Sequence, residues 1–300
     1  MVDIKEIKSA KIVPFTLMSS SISAILAFIG AIIFSIIIAA SLGIISQLIP
    51  QQFAPVVSAL AGFSVTAIIA YPIITFLVSL STVFLSVLLY NILAPRVGGV
   101  KLGMDGNRVA EIPIVPFALI LSIIMAIWAF IIGLLIATSI TPLLGLVSTA
   151  LPILTNGTAT GVALGTGSAI FALIMIIGLP ILVFIFAFIG HALFAIFYNY
   201  IATRVSEIQL NFDGVAEKWH ALIDIPIVPI ALALAVISAI FALIQGILNI
   251  GAAPDIVSGI IALILNIIVN FIWTFIVVAI ATFLYNFLVP RIGAVKLALE

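Results

Sequence analysis

Thr75, Ser79, Thr82 and Ser86 recur at i, i+4, i+7 and i+11, which places all four hydroxyls on one face of a helix. Inside an apolar segment such a stripe can bond across to a neighbouring helix, or it can line a hydrated path. His191 is the second feature with chemical potential. Apart from tyrosines it is the one titratable side chain deep in a long apolar stretch, and an ionisable group at that depth is a functional candidate by default. A neutral imidazole bonded to a facing hydroxyl or carbonyl needs no function, whereas a gating or proton-handling one does. Contact with hydrocarbon would leave both ring nitrogens unpaired, so His191 is expected to face another helix or an axis, not lipid.

Other chemistry has few tools. The chain has no cysteine, which removes disulfides, thiolate nucleophiles and Cys metal sites, and two histidines cannot make a zinc centre without carboxylates nearby. No nucleotide fingerprint, catalytic triad or metal cluster is visible, so the expectation is a non-enzyme without cofactor or metal. Ten Lys plus Arg balance ten Asp plus Glu, which offers nothing to nucleic acid. Carboxylates and cations are missing from the apolar stretches, which counts against ion-coupled transport but leaves a passive path open.

The 300 residues are 65% hydrophobic and only 7% charged, with a mean hydropathy of +1.53. A water-soluble domain of this length cannot carry that composition on its surface, so the chain is read as an integral membrane protein whose first partner is the lipid bilayer. Internal repeats organise it. Ile12-Val13-Pro14-Phe15, Ile114-Val115-Pro116-Phe117 and Ile227-Val228-Pro229-Ile230 each open a long apolar stretch. Each copy closes with Tyr-Asn six residues before an Arg: Tyr90-Asn91 and Arg96, Tyr198-Asn199 and Arg204, Tyr285-Asn286 and Arg291. From Pro to Arg the copies measure 82, 88 and 62 residues, so the third is shortened between its markers. The repeats are taken as 1–106, 107–214 and 215–300, packed as one membrane domain.

Two apolar blocks lie in each copy, at 12–45 and 56–94, 112–137 and 159–202, and 225–248 and 256–289. About 20 apolar residues cross the hydrocarbon, so six spans are predicted. The surplus at 56–71 and 159–179 reads as helical extension or interfacial helix. Pro72 and Pro180 each stand 24 residues before their Arg and can kink or break the helix there. All ten basic residues lie at the termini or between copies, on one side of the predicted spans, which makes that side and both termini cytoplasmic in a multi-pass protein of the cell membrane. The mixed charge of residues 1–6 and the length of the following apolar run argue against a cleaved signal.

Aligning the second spans on their Arg sets the Thr75 stripe opposite Val183, Ala187, Gly190 and Phe194, and opposite Asn270, Thr274, Val277 and Ala281, with Asn266 one turn further out. Val183, Phe194 and Val277 would interrupt a polar lining, which favours helix packing over a pore on the axis. The Tyr-Asn pairs sit near the cytoplasmic border, where Tyr suits the interfacial belt and Asn can bond the loosening carbonyls of the helix end. A lipid-headgroup or partner site is the alternative. Arg96 and Arg291 follow prolines and read as snorkelling cations. Trp219 reads as an interface anchor. Asn156-Gly157-Thr158 is the chain's one glycosylation sequon, in a Gly- and Thr-rich run to Ser168 that reads as a turn.

After each second span the pattern alternates with period two: Val100, Leu102, Met104; Ile208, Leu210, Phe212; Val295, Leu297, Leu299. Asp105-Gly106 and Asp213-Gly214 then supply turns, and the chain returns through 109–112 or 221–225. The first copy has only a returning strand, at 2–7, and the third only an outgoing one, at 293–299. Pairing the N-terminal strand near Ile4 with the C-terminal strand near Leu297 would leave no edge unpaired. The expected fold is therefore an all-α transmembrane bundle of three helix pairs in pseudo-threefold arrangement, with a six-stranded cytoplasmic β cap.

Leu89-Tyr90-Asn91 with Gly98-Gly99 and Val100-Lys101-Leu102 resembles a family of small membrane proteins known as a domain of unknown function. Leu284-Tyr285-Asn286 with Gly293 and Val295-Lys296-Leu297 is close, whereas the middle copy has Phe197 before Tyr198 and Ser206-Glu207 in place of glycines. The resemblance implies a two-span unit that ordinarily occurs singly, and hence a trimer of such units, but no activity. Two functions remain: a non-enzymatic scaffold or accessory subunit bound to other membrane subunits, or a passive channel or transporter along the axis.

Overall fold

Long apolar segments without charge leave the backbone one way to satisfy its polar groups in lipid, which is the helix. The computed structural model describes residues 2–48, 50–154, 162–216 and 218–300. Among these, six helices are long and apolar enough to cross a membrane, and the protein is a multi-pass membrane protein with a small antiparallel sheet. The helices are α1 (Ile12–Ile45), α2 (Ala54–Val97), α3 (Ile114–Leu154), α4 (Val162–Leu173), α5 (Leu179–Phe197), α6 (Thr203–Val205), α7 (Ile227–Asn249) and α8 (Ile256–Ile292). Two π turns, Ile174–Gly178 and Tyr198–Ala202, join α4, α5 and α6 into one interrupted rod.

The surplus apolar residues of the first span pair are helical extension. α2 runs unbroken for 44 residues with Pro72 inside it. The rod that carries Pro180 instead opens into a π turn just before it, where a wider turn accommodates the carbonyl that the missing proline N–H leaves free. α3 continues to Leu154, well past the expected end near residue 137. The Thr138 hydroxyl bonds the Leu134 carbonyl, so this stretch hides its polar atoms on its own helix and Pro142 does not stop it. Helix also replaces the expected turn at 162–168, while Asn156 to Thr158 lie outside the described residues.

The strands are β1 (Asp3–Ala10), β2 (Val100–Asp105), β3 (Arg108–Glu111), β4 (Asn211–Ala216), β5 (Trp219–Asp224) and β6 (Val295–Leu299), in the order β3-β2-β1-β6-β5-β4. The two termini pair in the middle of the sheet, with Ala10 opposite Leu297 and Ile7 opposite Leu299. Glu6 and Glu300 exchange backbone hydrogen bonds at 2.7 and 3.0 Å beside that register. Ile4, the residue expected opposite Leu297, faces Gly103 of β2 instead. The pairing starts three residues further along because β1 runs on to Ala10, directly against α1.

The outer strands are also joined. Val109 donates to the Ile208 carbonyl at 2.8 Å and Leu210 to the Asn107 carbonyl at 2.8 Å, around an antiparallel bridge between Arg108 and Gln209. Residues 208–210 are a bridge where the alternation predicted a strand, and β4 begins at Asn211. This short link satisfies the facing edges of β3 and the chain entering β4, so the sheet closes on itself.

α1 packs on α2, α3 on α4 and α5, and α7 on α8. Between pairs, α1 meets α8, α2 meets α3 and α5 meets α7. The first helix of each pair is the more enclosed. Residues two, four and six beyond Pro14, Pro116 and Pro229 are all buried: Thr16, Met18 and Ser20; Ala118, Ile120 and Ser122; Ala231, Ala233 and Ala235. Burial at every second residue of a helix means that both of its sides are covered, so these starts lie among the other helices directly above the sheet.

Gly99 marks the closest approach between α2 and the sheet. A Cβ there would overlap the Ile7 carbonyl and press on the Tyr90 hydroxyl, whereas one at Gly62 of α2 would meet nothing. Gly99→Ala is expected to destabilise the protein by about 1–3 kcal/mol, the usual cost of overpacking, and Gly62→Ala to leave stability unchanged or slightly raised. Denaturant unfolding of both variants in the same detergent checks this.

Candidate functional site

The junction between each strand and the helix after it has a physical problem. The last strand residue and the first helical turn expose backbone N–H and C=O groups where neither ladder nor helix pairs them. Three residues stand there: Ala10 before α1, Ile112 before α3 and Ile225 before α7. The repeated asparagines meet them. Asn91 Oδ1 accepts from the Ala10 N–H at 2.8 Å while Nδ2 donates to the Ala10 carbonyl at 2.9 Å. Asn199 does the same to Ile112 at 2.8 and 2.9 Å, and Asn286 to Ile225 at 3.0 and 2.8 Å. A carboxamide carries one acceptor and a donor pair side by side, which matches one residue's backbone as a strand partner would.

The tyrosines complete each clamp. Tyr90 OH donates to the Ile7 carbonyl at 2.5 Å and accepts from the Val100 N–H at 2.9 Å, tying β1 to β2. Tyr198 OH links the Val109 carbonyl, 2.5 Å, to the Ile208 N–H, 3.1 Å. Tyr285 OH links the Leu222 carbonyl, 2.6 Å, to the Val295 N–H, 3.3 Å. Each hydroxyl thus stands in for one rung between strands that diverge as they reach the membrane. Tyr198 and Tyr285 are fully or nearly buried, which removes them from any headgroup belt.

The asparagines therefore bond a different chain segment from the one expected. The carbonyls at their own helix ends are taken by the arginines: Arg96 donates to the Ile92 carbonyl at 2.5 Å, and Arg291 to that of Phe287 with its guanidinium 3.6 Å from the Phe287 ring. An exposed cation at the helix C-terminus also complements the dipole. Arg204 lies inside α6, exposed. Trp219 carries the Lys11 ammonium over its ring at 5.0 Å, within the cap.

The polar stripe bonds within the first and third helix pairs. Ser79 donates to Ser23 of α1 at 3.4 Å, Thr82 to the Val78 carbonyl and Ser86 to the Thr82 carbonyl. Thr274 donates to Ser238 of α7 at 2.8 Å, Asn266 to the Ala242 carbonyl at 3.1 Å, and Asn270 to Asn266 at 2.7 Å. Thr75, Ala187 and Gly190 are half-buried on the same helix faces, with open space beside Gly190.

His191 lies against Phe117, edge to face at 6.0 Å, and borders a chamber of about 440 Å3 with Ser86 and Tyr90. Its Nδ1 is buried without a hydrogen-bond partner and the Ala187 backbone of its own helix lies beside the ring, so no hydroxyl or carbonyl of a facing helix bonds Nδ1 among the described residues. Trp128 of α3 reaches Ser86 at 2.9 Å, joining two helix pairs. Spacing along α2 gave no sign of that partner. The buried hydroxyls of Thr16, Ser20 and Ser122 also escaped notice, although counting from the repeated prolines would have found them. No family model, curated protein or solved structure matches the chain.

Glu6 holds the cap beside the first clamp. Its carboxylate accepts from the Gly99 N–H at 2.8 Å, with Lys8 at 3.0 Å and Lys101 at 3.7 Å. Partial burial alone would push the carboxyl up, but the Gly99 bond and the two ammonium groups outweigh it and hold the group below its ordinary 4.5.

Asn286→Ala would strand the Ile225 N–H and carbonyl together. It is expected to cost about 2–3 kcal/mol in unfolding experiments, and Tyr285→Phe about 1–2 kcal/mol. For Glu6 the folded group binds its proton less readily than the unfolded one. Its contribution is therefore present above the ordinary value of 4.5 and lost as pH falls through the lower folded value. Unfolding of Glu6→Gln measured from pH 7 to 3 should show a shallower acid loss than wild type.

Proposed function

We propose that the chain is a non-enzymatic membrane scaffold or accessory subunit, built as three two-helix units at 1–106, 107–214 and 215–300 around one pseudo-threefold axis. The observation that carries this reading is the clamp, made three times with the same atoms on the same kinds of backbone group. It is made even where Phe197 and a π turn replace the local pattern of the other two. Nine residues two, four and six beyond the repeated prolines are buried at the starts of the first helices, which favours close packing there over an open path. The stripe's hydrogen bonds go to other protein groups, from Ser79 to Ser23 and from Thr274 to Ser238 within a pair and from Trp128 to Ser86 between pairs, which supports packing over a water-lined pore.

A clamped sheet on six membrane helices is a rigid platform on the side of the ten basic residues, and the positive-inside rule makes that side cytoplasmic. Such a platform suits the assembly of other membrane subunits, and no carboxylate or cation within the spans asks for coupled transport.

Two measurements test this. Cysteine placed at Lys101 should label only in permeabilised cells, and cysteine at Gln51 in sealed ones; the reverse overturns the orientation. Purified protein in liposomes should pass no ions. Flux that Ser79→Leu abolishes with unfolding unchanged would replace the scaffold with a channel.

A further inference from the structure

We propose that the chamber beside His191 is a binding site for a single-chain lipid whose only polar group is a hydroxyl or an un-ionised carboxyl. Its walls come from two helix pairs, with Val83 and Val87 on α2 and Leu121 and Ile124 on α3, and its floor from Ala10 and Leu297 of the sheet. The volume of about 440 Å3 lies in the range of sites that enclose small organic ligands, which are mostly apolar with a few placed polar groups. Met125 borders it while 47% exposed, and the chamber is only partly enclosed.

Its polar groups are unequal. Tyr90 OH already donates to Ile7 and accepts from Val100, and Ser86 already donates to Thr82 and accepts from Trp128. Both are satisfied by the protein. His191 is left over: Nδ1 is buried without a partner, the Ala187 backbone lies beside the ring, and apart from Ser86 and Tyr90 the other side chains that line the chamber are apolar. A carbonyl neighbour favours the proton on Nδ1, which leaves Nε2 as an acceptor. An acceptor in an apolar chamber selects an O–H donor, and a charged headgroup or a polar solute would lose its hydration there without return. An apolar chain ending in one hydroxyl satisfies both the walls and the ring.

The test uses Trp128, bonded to Ser86 of the chamber wall, as the reporter. Of the three tryptophans, Trp219 and Trp273 are replaced by Phe, and the protein is placed in phosphatidylcholine nanodiscs. The probes are 12-bromododecan-1-ol and 1-bromododecane, which differ in the hydroxyl alone. Saturable quenching by the alcohol is expected, with the bromoalkane roughly tenfold weaker, the loss of one hydrogen bond in apolar surroundings. His191→Leu should bring the two probes to equal affinity, and Val83→Phe, which fills the chamber, should remove saturable quenching by both. Equal affinities in the parent protein, quenching that rises linearly with probe, or quenching that persists in a folded Val83→Phe variant would overturn the site. If His191→Leu fails to fold, the probe comparison and Val83→Phe decide it alone.

Discussion

The passage from strand to membrane helix is the constraint on which this fold depends. A strand is satisfied by its neighbours and a helix by itself, but at the passage between them backbone groups are left that neither pairs, and at the edge of a bilayer water is a poor substitute. Six such backbone groups, on Ala10, Ile112 and Ile225, are paired by three asparagines borrowed from the returning helices. The partner is therefore a side chain held in a helix, whose position is fixed to within a rotamer. The sheet and the membrane helices become one mechanical unit through these contacts.

The same geometry accounts for residue types that otherwise look unrelated. Tyr precedes Asn because consecutive helical residues point about 100° apart, so the amide can reach the junction while the phenol reaches between the strands. Gly99 follows because the first strand approaches too closely for a side chain. Gly98 and Gly293 at φ near +90° turn the chain out of α2 and α8 toward the strands, a conformation that suits glycine. The middle unit has Ser206 and Glu207 instead and leaves its helix through a π turn, with Glu207 paired to Arg108 at 3.5 Å. One junction can thus be reached by two backbone routes when the clamp is kept.

Much of the architecture was legible because it is written in periodicity. Apolar length predicted six membrane helices, and period-two alternation predicted strands at the right places, because burial imposes those patterns on any backbone of that type. The strand near residue 208 shrank to a bridge because its partner β3 has only four residues. Helix ends were less legible. The block read as ending at 137 and the Gly- and Thr-rich run to Ser168 read as a turn, yet an apolar environment penalises a broken helix more than an imperfect one. The partners of Asn91, Tyr90 and Trp128 lie 81, 83 and 42 residues away and leave no periodic trace, which is why the clamp was read as a local helix end.

Helix length sets the last relation between fold and membrane. α7 has 23 residues and spans about 35 Å, close to the ~30 Å of hydrocarbon in a typical bilayer. Gln245, Asn249 and the Asp255 cap of α8 gather at that end, where a bilayer matched to this pair would have its outer headgroups. α2 has 44 residues and reaches about 66 Å, and α3 has 41. At the far end of α2 the polar residues Ser46, Gln47, Gln51 and Gln52 stand well beyond the outer end of the third pair. The clamps act at the opposite end, at the sheet. A helix longer than the local hydrocarbon is accommodated by tilt or by local thickening of the bilayer, so with one end held at the sheet the outer ends of the long helices take up the mismatch that the short third pair does not have.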